Sequence, residues 1–252
     1  MNLLALDTCD SRGSVSVLRD DEVVQTVEHD NGDDYSIWLL PAIDRALQAS
    51  RLNFADIDVY VAASGPGSFT GVRVGLTTVK AWAEVTGKPV AGVSRLEALA
   101  SQSAPAPGEF VATFTNAQRK QIFGALYRSE ASGLHRIGEE AVIGPEAFLA
   151  WAVQNAAGAP IHWISTDPEM LAETEAWADR QKDGAARLVD NATARIEAAS
   201  PILAPAIGQV GYRFAMMKQF TDPLRLDANY VRRSDAEVSW IDRQERASKT
   251  AS

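Results

Sequence analysis

The sequence has few of the residues that cross-link secreted domains or bind metals. Its 252 residues include one cysteine, Cys9, and three histidines, His29, His135 and His162. A single cysteine cannot form an internal disulfide, which fits a reducing compartment. The H-x-x-x-H and C-x-x-C spacings that typically mark metal sites do not occur. We therefore predict no metal centre, and structural roles for the histidines.

Long apolar runs and an excess of positive charge are also lacking. No apolar stretch approaches the roughly 18 residues that a membrane-spanning helix needs, and the first residues, MNLLALDTCDSRG, lack the basic region of a signal peptide. The formal net charge of −9 argues against a chain that holds nucleic acid by itself, because phosphate binding needs clustered lysine and arginine. These features predict a cytoplasmic protein that does not contact membranes.

The pattern of apolar residues predicts an α/β fold in which strands and helices alternate in both halves of the chain. Strands are predicted at 2–7, 13–19, 22–29, 57–64 and 90–93, and then at 110–114, 121–127, 139–144, 161–165 and 187–190. Helices are predicted after Asp33 or Asp34, at 72–86, after Ser94, and at 145–155, 168–177 and 205–220. Pro41 should kink or break the first helix, because it removes a backbone donor.

One stretch of the chain is typical of a domain boundary. ASQSAPAPGEF, with Pro105, Pro107 and Gly108, separates the two halves. We therefore expect an amino-terminal lobe at 1–104, a smaller α/β lobe at 105–225 and a polar tail at 226–252. No repeat of 20 to 50 residues is apparent, by the periods typical of repeat proteins.

The glycine-rich stretch SGPGSFTGVRVG at 64–75 suggests a phosphate loop, but its spacing does not support one. It fits neither the G-x-x-x-x-G-K-[ST] pattern nor G-x-G-x-x-G. The helix that follows has two apolar stripes. The first stripe is Val72, Leu76, Val79 and Ala83, and the second is Val74, Thr78, Ala81 and Val85. Such a helix is either enclosed within one domain or covered by a partner chain on its second side.

Asp7, at the end of the first strand, is the one carboxylate placed for chemistry. With Thr8 and the backbone amides around Gly13, it could hold a metal-bound nucleotide phosphate. An aspartate at a strand end more often caps the following turn with its own side chain. Both interpretations remain open at the level of sequence.

Four segments together resemble a known family. LLALDTxxxxGSVSV, SxxLLP at 36–41, GPGSFTGVRVGLTTVKAWAE and PVAGVSRLEALA are similar to the TsaB family, also called YeaZ, of bacterial threonylcarbamoyladenosine biosynthesis. The likeness is strong over about the first hundred residues and returns weakly at 117–127 and 229–237. Tyr35 stands where family members commonly have histidine, and NAQRKQIF at 116–123 stands where they often have DARxGEVY.

The resemblance implies a two-lobed actin-like ATPase or RNase H-like (ASKHA) fold, with a mixed sheet flanked by helices in each lobe. It implies a scaffold without catalytic activity of its own, which binds TsaD, the subunit that carries the metal-binding histidines and transfers threonylcarbamoyl to tRNA. TsaE supplies an ATPase cycle to that complex. No tightly bound cofactor is implied, although ATP or ADP can lie at the interface of the complex, and tRNA is reached only through the complex.

The resemblance also implies which surface is shared. Helices 36–49 and 72–86 would form both a homodimer of the free chain and the TsaD heterodimer, so the two assemblies should compete. The interface residues expected are Trp38, Leu39, Ile43, Gly67, Phe69, Arg73, Val74, Thr78, Ala81 and Val85. The alternative function is an ATP-binding enzyme acting through Asp7, and a metallopeptidase is disfavoured by the histidine spacing.

Overall fold

Two five-stranded mixed sheets, one in each half of the chain, form the two lobes. The computed structural model describes residues 1–29, 33–182 and 195–231. The first sheet contains β1 (Asn2–Asp7), β2 (Ser14–Arg19), β3 (Glu22–Glu28), β4 (Val59–Ala63) and β5 (Val90–Val93). The second contains β6 (Phe110–Asn116), β7 (Ile122–Glu130), β8 (Gly133–Ile143), β9 (Ile161–Ser165) and β10 (Ile196–Ala198). The two-lobed α/β fold predicted from the sequence is confirmed.

Helices cover both sheets. They are α1 (Tyr35–Ala49), α2 (Phe69–Thr86), α3 (Arg95–Ala100), α4 (Pro145–Ala156), α5 (Glu169–Ala172), α6 (Glu175–Lys182) and α7 (Ala204–Met216), with a 3-10 turn at Phe54–Asp56. Among the described residues, no helix is both long enough and apolar enough to cross a membrane.

The two lobes share one topology. The strand orders are β3-β2-β1-β4-β5 and β8-β7-β6-β9-β10, in which the first three strands of each lobe pair antiparallel and the last two join in parallel. The order of elements, three strands and then alternating helices and strands, is also the same in both halves. The chain is therefore a structural duplication, and the sequence contains no short repeat that reveals it.

Most predicted elements are confirmed, with some differences at their ends. Ser68 caps α2, which begins earlier than predicted, because its hydroxyl accepts a hydrogen bond from the Gly71 amide. The helix predicted at 168–177 is divided into α5 and α6, since the Thr174 hydroxyl accepts from the Trp177 amide and starts a new helix. The long helix predicted to residue 220 ends at Met216. β10 was not predicted, and the strand predicted at 187–190 lies outside the described residues.

The prediction that Pro41 breaks the first helix is wrong, because α1 continues through it to Ala49. Pro41 lies on the exposed side of the helix, and so does Ile37, whose carbonyl loses its donor. Water can therefore reach that carbonyl, so the helix tolerates the proline. The predicted N-cap position is confirmed at Asp34.

The last helix of each half of the chain packs against the other lobe. In α3, Leu96 and Ala100 join the core over β6 and β7. In α7, Ile207 and Val210 belong to the core of the first sheet, and a Cβ on Gly208 would lie only 2.2 Å from Leu18. The expected division at 105–225 placed α7 in the second lobe, whereas the structure packs it on the first.

Candidate functional site

The glycines of the 64–75 stretch bring α2 into direct contact with the turn after β1. A Cβ added to Gly67 would lie 2.3 Å from the Cys9 carbonyl oxygen, and one on Gly71 would lie 2.0 Å from the Thr8 carbonyl oxygen. A Cβ on Gly75 would lie 2.6 Å from Thr8 Oγ1. Only glycine permits such an approach, so these residues serve helix packing.

Thr8 is fully engaged by that helix. Its hydroxyl donates to the Gly71 carbonyl oxygen at 2.7 Å and accepts from the Gly75 amide at 3.1 Å. The side chain is buried. Thr8 therefore joins the turn to α2 and presents no polar atom to a ligand.

Tyr35 occupies the inside of the same turn. The Gly13 amide donates to the Tyr35 hydroxyl at 2.9 Å, and that hydroxyl donates to the Asp10 carbonyl oxygen. A Cβ on Gly13 would lie 2.2 Å from the Tyr35 oxygen. Burial, with the negative charge of Asp7 nearby, raises the pKa of Tyr35 above its ordinary value. The amide of Gly13 is thus already used within the chain.

Asp7 is buried in an ion pair. Its Oδ2 lies 3.1 Å from Nε of Arg95, while its Oδ1 accepts from the Cys9 amide at 2.9 Å. Nη2 of Arg95 lies 2.6 Å from Oδ2 of Asp10. Burial by itself would lower the pKa of Arg95, but the charges of Asp7 and Asp10 raise it. Arg95 therefore remains a cation that neutralises the turn.

A cleft of about 790 Å³ opens between the lobes, beyond this turn. Arg12 projects across it, with Nη2 3.9 Å from Asp10 Oδ2 and 3.6 Å from Asp167 Oδ1. Burial tends to raise the pKa of Asp10, but Arg95, the Arg12 amide and the Arg12 charge lower it below its ordinary value. The positive charge of Arg12 therefore offsets the negative charges of Asp10, from the first lobe, and Asp167, from the second.

Asp167, in the second lobe, is held by hydrogen bonds. Its Oδ2 accepts from the Thr115 hydroxyl at 2.8 Å, the Thr166 hydroxyl at 2.7 Å and the Asn116 amide at 3.1 Å. Burial tends to raise the pKa of Asp167, but these hydrogen bonds and the Arg12 charge lower it. Asp167 was not predicted from the sequence, although its position two residues after β9 was a usable signal.

The three residues predicted for nucleotide binding do not fit a metal-bound phosphate. Both oxygens of Asp7, the hydroxyl of Thr8 and the amide of Gly13 are engaged within the chain. The Cys9 amide bonded to Asp7 is the local cap that the alternative interpretation expected. Within 1–29, 33–182 and 195–231, no three His, Cys, Asp or Glu side chains converge as metal ligands would.

A second concave surface, of about 530 Å³, lies between α1 and α2. Of the described residues that line it, Arg73 alone is charged. Large apolar side chains are exposed on or beside this face: Ile37 at 65%, Leu40 at 58%, Phe69 at 43% and Val85 at 86%. We call this face the α1–α2 groove. Exposed apolar area of this extent on two adjacent helices is typical of a protein-binding surface.

The expected interface residues divide into two groups. Phe69, Arg73, Val74, Thr78, Ala81 and Val85 lie exposed or half-buried along the outer side of α2. Gly67 is half-buried against Cys9. Trp38, Leu39 and Ile43 lie buried in the core of the first lobe, and Leu39 also lines the groove. Ile37 and Leu40 are exposed large apolar residues of α1.

Arg73 is held in the groove by two aromatic rings. Its guanidinium carbon lies 3.5 Å above the centre of the Phe69 ring, and its Nε donates to the Tyr230 hydroxyl at 2.7 Å. The Phe69 and Tyr230 ring centres are 5.2 Å apart. A cation held over an aromatic face has little freedom to move, so Arg73 presents a defined positive charge.

Tyr230 belongs to a carboxy-terminal segment that returns along the first lobe. The Thr221 amide donates to the Val90 carbonyl oxygen at 2.9 Å, and Lys80 Nζ donates to the Leu226 carbonyl oxygen at 2.9 Å. The Asn229 amide donates to the Ser64 carbonyl oxygen at 2.7 Å. The first part of the expected polar tail, 226–231, is therefore packed on the lobe, and 232–252 lie outside the described residues.

Glu140 joins that segment to both lobes. Its carboxylate accepts from the Asn229 side chain at 2.6 Å, from the Tyr127 hydroxyl at 3.4 Å and from the Ser94 hydroxyl. Burial raises the pKa of Glu140, and burial likewise raises that of the neighbouring Glu97. Two half-buried carboxyl groups with raised pKa thus lie where α3 meets the second sheet.

Comparison with known proteins gives consistent matches. A family model described as TsaD, tRNA N6-adenosine threonylcarbamoyltransferase, matches residues 29–179. The tRNA threonylcarbamoyladenosine biosynthesis protein TsaB of Bacillus subtilis is 26% identical over 230 residues, which cover 72% of this chain and 100% of the relative. TsaB of Escherichia coli is 28% identical over 192 residues, covering 75% and 79%.

The fold also matches a solved structure. YeaZ from Pseudomonas aeruginosa superimposes with a TM-score of 0.65 at 22% identity, covering 91% of this chain and 99% of that one. The family model covers more than half of the chain, and the resemblance found in the sequence is confirmed. The chain belongs to the TsaD (tRNA N6-adenosine threonylcarbamoyltransferase) family and, within it, to the TsaB/YeaZ group.

Proposed function

We propose that this chain is a non-catalytic subunit in the biosynthesis of tRNA threonylcarbamoyladenosine, and that it acts by binding the TsaD enzyme. The names of its relatives in Bacillus subtilis and Escherichia coli support the pathway. The observation that carries the binding role is the α1–α2 groove. Its large apolar side chains are exposed, and a partner that covered them would remove them from water.

The size and composition of the groove suit a helical partner. α1 has 15 residues and α2 has 18, so they extend about 22 and 27 Å. Two such helices side by side can supply the roughly 800 Å² per partner that a stable interface buries. Arg73 is the one charged residue among the described residues that line the groove, and depletion of charge is typical of interface cores.

The cleft supports the non-catalytic part of the proposal. The carboxylates and amides around β1 are neutralised or bonded by Arg95, Arg12 and Tyr35. An enzyme using Asp7 would need that carboxylate to face its substrate. We therefore propose that the isolated chain binds no nucleotide tightly. ATP or ADP would be contacted only at the interface with TsaD, and TsaE and tRNA only through the complex.

The proposal is tested by Leu40→Glu combined with Ala81→Glu. Both positions are exposed, so the fold should be retained while two charges enter the groove. The variant should lose co-purification with TsaD from the same organism and should no longer support reconstituted tRNA modification. Ala172→Glu with Ala178→Glu, both exposed on the second lobe, is the matched control. If the groove variant binds TsaD as the control does, the assignment of this surface is wrong.

A further inference from the structure

The cleft between the lobes contains an arginine whose guanidinium is only loosely paired. The Arg12 side chain is 36% exposed, and its Nη2 lies 3.6 Å from Asp167 Oδ1 and 3.9 Å from Asp10 Oδ2. Both distances exceed the roughly 2.7–2.9 Å of a charge-assisted hydrogen bond. Within the described parts of the chain, this guanidinium makes no shorter polar contact. Its donors therefore remain available to a molecule that enters the cleft.

Asp167, on the other side of the cleft, has one oxygen that is well bonded and one that is not. Its Oδ2 accepts three hydrogen bonds, whereas Arg12, at 3.6 Å, is the one partner of Oδ1 among the described residues. Asp10 differs, because its Oδ1 accepts from the Arg12 amide at 2.7 Å and its Oδ2 lies 2.6 Å from Arg95. The cleft therefore presents one available carboxylate oxygen and one available guanidinium, and each comes from a different lobe.

The charges around the cleft are balanced, and this balance favours a ligand that carries both signs. The charged residues among those described as lining it are Asp10, Asp167, Arg12, Arg95 and Arg119. Asp7, which is buried, pairs with Arg95, so there are three charges of each sign. A further anion would meet carboxylates, and a further cation would meet guanidinium groups. A zwitterion can place each of its charges beside the opposite one.

The distance between the two available groups matches the charges of an α-amino acid. Arg12 Nη2 and Asp167 Oδ1 are 3.6 Å apart. Ordinary bond lengths of about 1.5 Å place the ammonium nitrogen and the nearer carboxylate oxygen of an α-amino acid roughly 3 Å apart. The ammonium can then lie beside Oδ1 while the carboxylate lies beside Nη2, and the charges alternate around the four atoms. A β-amino acid separates its charges by one more carbon and fits this spacing less well.

The rest of the cleft suits the apolar part of a small molecule. Its volume of about 790 Å³ falls within the roughly 300–1,000 Å³ typical of ligand sites, which occur preferentially between domains. Phe69, Phe123 and Val231 line it, and it lies beyond the carboxyl ends of the parallel strands β1 and β9. The cleft is larger than one amino acid, so the charges define the ligand, and the apolar lining favours an apolar side chain.

We propose that the cleft binds a free α-amino acid with an apolar side chain, whose carboxylate is held by Arg12 and whose ammonium is held by Asp167. The ligand would replace the two long contacts of Arg12 with shorter ones and would connect the lobes. This site goes beyond the proposed function. Because binding is measured on the isolated chain, its failure would leave the assignment of TsaD binding unaffected.

Titration calorimetry of the full chain with L-alanine, L-valine, L-leucine, L-methionine and L-phenylalanine tests the proposal. We expect at least one of them to bind with a dissociation constant below about 1 mM. Its N-acetyl derivative and the amine that lacks its carboxylate should each bind about tenfold more weakly or less, because each loses a charge-assisted contact. The β-amino isomer should also bind more weakly. If none of the five amino acids binds, or if the acetylated form binds equally well, the proposal is wrong.

Variants of the two binding residues assign the contacts. Arg12→Gln and Asp167→Asn should each weaken binding by about tenfold or more. Arg12→Gln should also bind the amino acid and its amine equally well, because the group that distinguishes them is gone, and a merely structural role would not produce this result. Arg128→Gln and Asp21→Asn, at exposed positions elsewhere, are the matched controls, and circular dichroism checks that all variants fold. Folded Arg12→Gln and Asp167→Asn chains that bind as the controls do would overturn the proposal.

Discussion

Nε of Arg95 lies 3.1 Å from Oδ2 of Asp7, with both side chains almost completely buried. The pair joins the end of β1 to the start of α3, the helix that continues into the core of the second lobe. A carboxylate in this arrangement is a structural anion. The same residue would be a phosphate or metal ligand if it faced the cleft.

Removing one member of the Asp7–Arg95 ion pair should destabilise the folded chain strongly. We expect Asp7→Asn to lower the free energy of unfolding by about 3–5 kcal/mol, because it leaves the guanidinium of Arg95 buried beside only one carboxylate. Urea denaturation followed by circular dichroism measures the change. Arg12→Gln, in a longer and more exposed bridge, should cost less than about 1 kcal/mol and serves as the control. Equal costs for the two variants would contradict the assigned role.

The close approach of α2 to the β1 turn predicts the effect of a single methyl group. Gly71→Ala places a Cβ 2.0 Å from the Thr8 carbonyl oxygen. The backbone must shift to accept it, and we expect a loss of about 1–3 kcal/mol or more in thermal unfolding. A Cβ added at Gly144 would have no other atom within 4 Å. Gly144→Ala should therefore lower the free energy of unfolding by less than about 1 kcal/mol. If the Gly71→Ala variant were as stable as wild type, the backbone of α2 would not lie as close to Thr8 as described.

The raised pKa of Glu140 gives the stability of the fold a defined pH dependence. A carboxyl whose pKa rises on folding takes up a proton when the chain folds. Its contribution is therefore present below its unfolded pKa and is lost as pH rises through its folded pKa. Relative to Glu140→Gln, wild type should therefore lose stability as the pH rises from below the ordinary glutamate pKa of about 4.3 toward neutral.

Urea denaturation of both proteins across this range tests that sign. Glu175→Gln, at an exposed position, controls for general effects of losing a carboxylate. A difference between wild type and Glu140→Gln that does not change with pH would contradict the prediction. Asp10 and Asp167, whose pKa values are lowered, act in the opposite sense, since their contributions are lost only as pH falls through those lower values.

Because polar groups of the turn after β1 are already bonded within the chain, we expect the isolated chain to bind nucleotide weakly. Titration calorimetry with Mg²⁺ and ATP should give no tight association, because the Gly13 amide and both Asp7 oxygens are bonded internally. Asp7→Asn should leave this result unchanged. Tight binding that Asp7→Asn abolishes would instead favour the ATP-dependent alternative.

Local pattern was sufficient to predict most elements and the family. Alternating apolar residues predicted β2, helical spacing predicted α2, and Ser94 as a cap predicted α3, whereas the Ser68 cap that starts α2 was not predicted. The glycines before and within α2 permit an approach of two backbones that no other residue allows. These signals lie within a few residues of one another, so they are present in the chain before it folds.

The use of each surface was decided by contacts between distant residues. Asp7 and Arg95 are 88 positions apart, and Arg73 and Tyr230 are 157 apart. Which side of α1 faces the core was also undetermined, so Trp38 was assigned to an interface although it is buried. The sequence by itself determined the order of strands and helices and the family. Only the tertiary structure decided that Asp7 is neutralised and that the outer side of α2 is exposed, because burial and ion pairing arise when separate elements pack together.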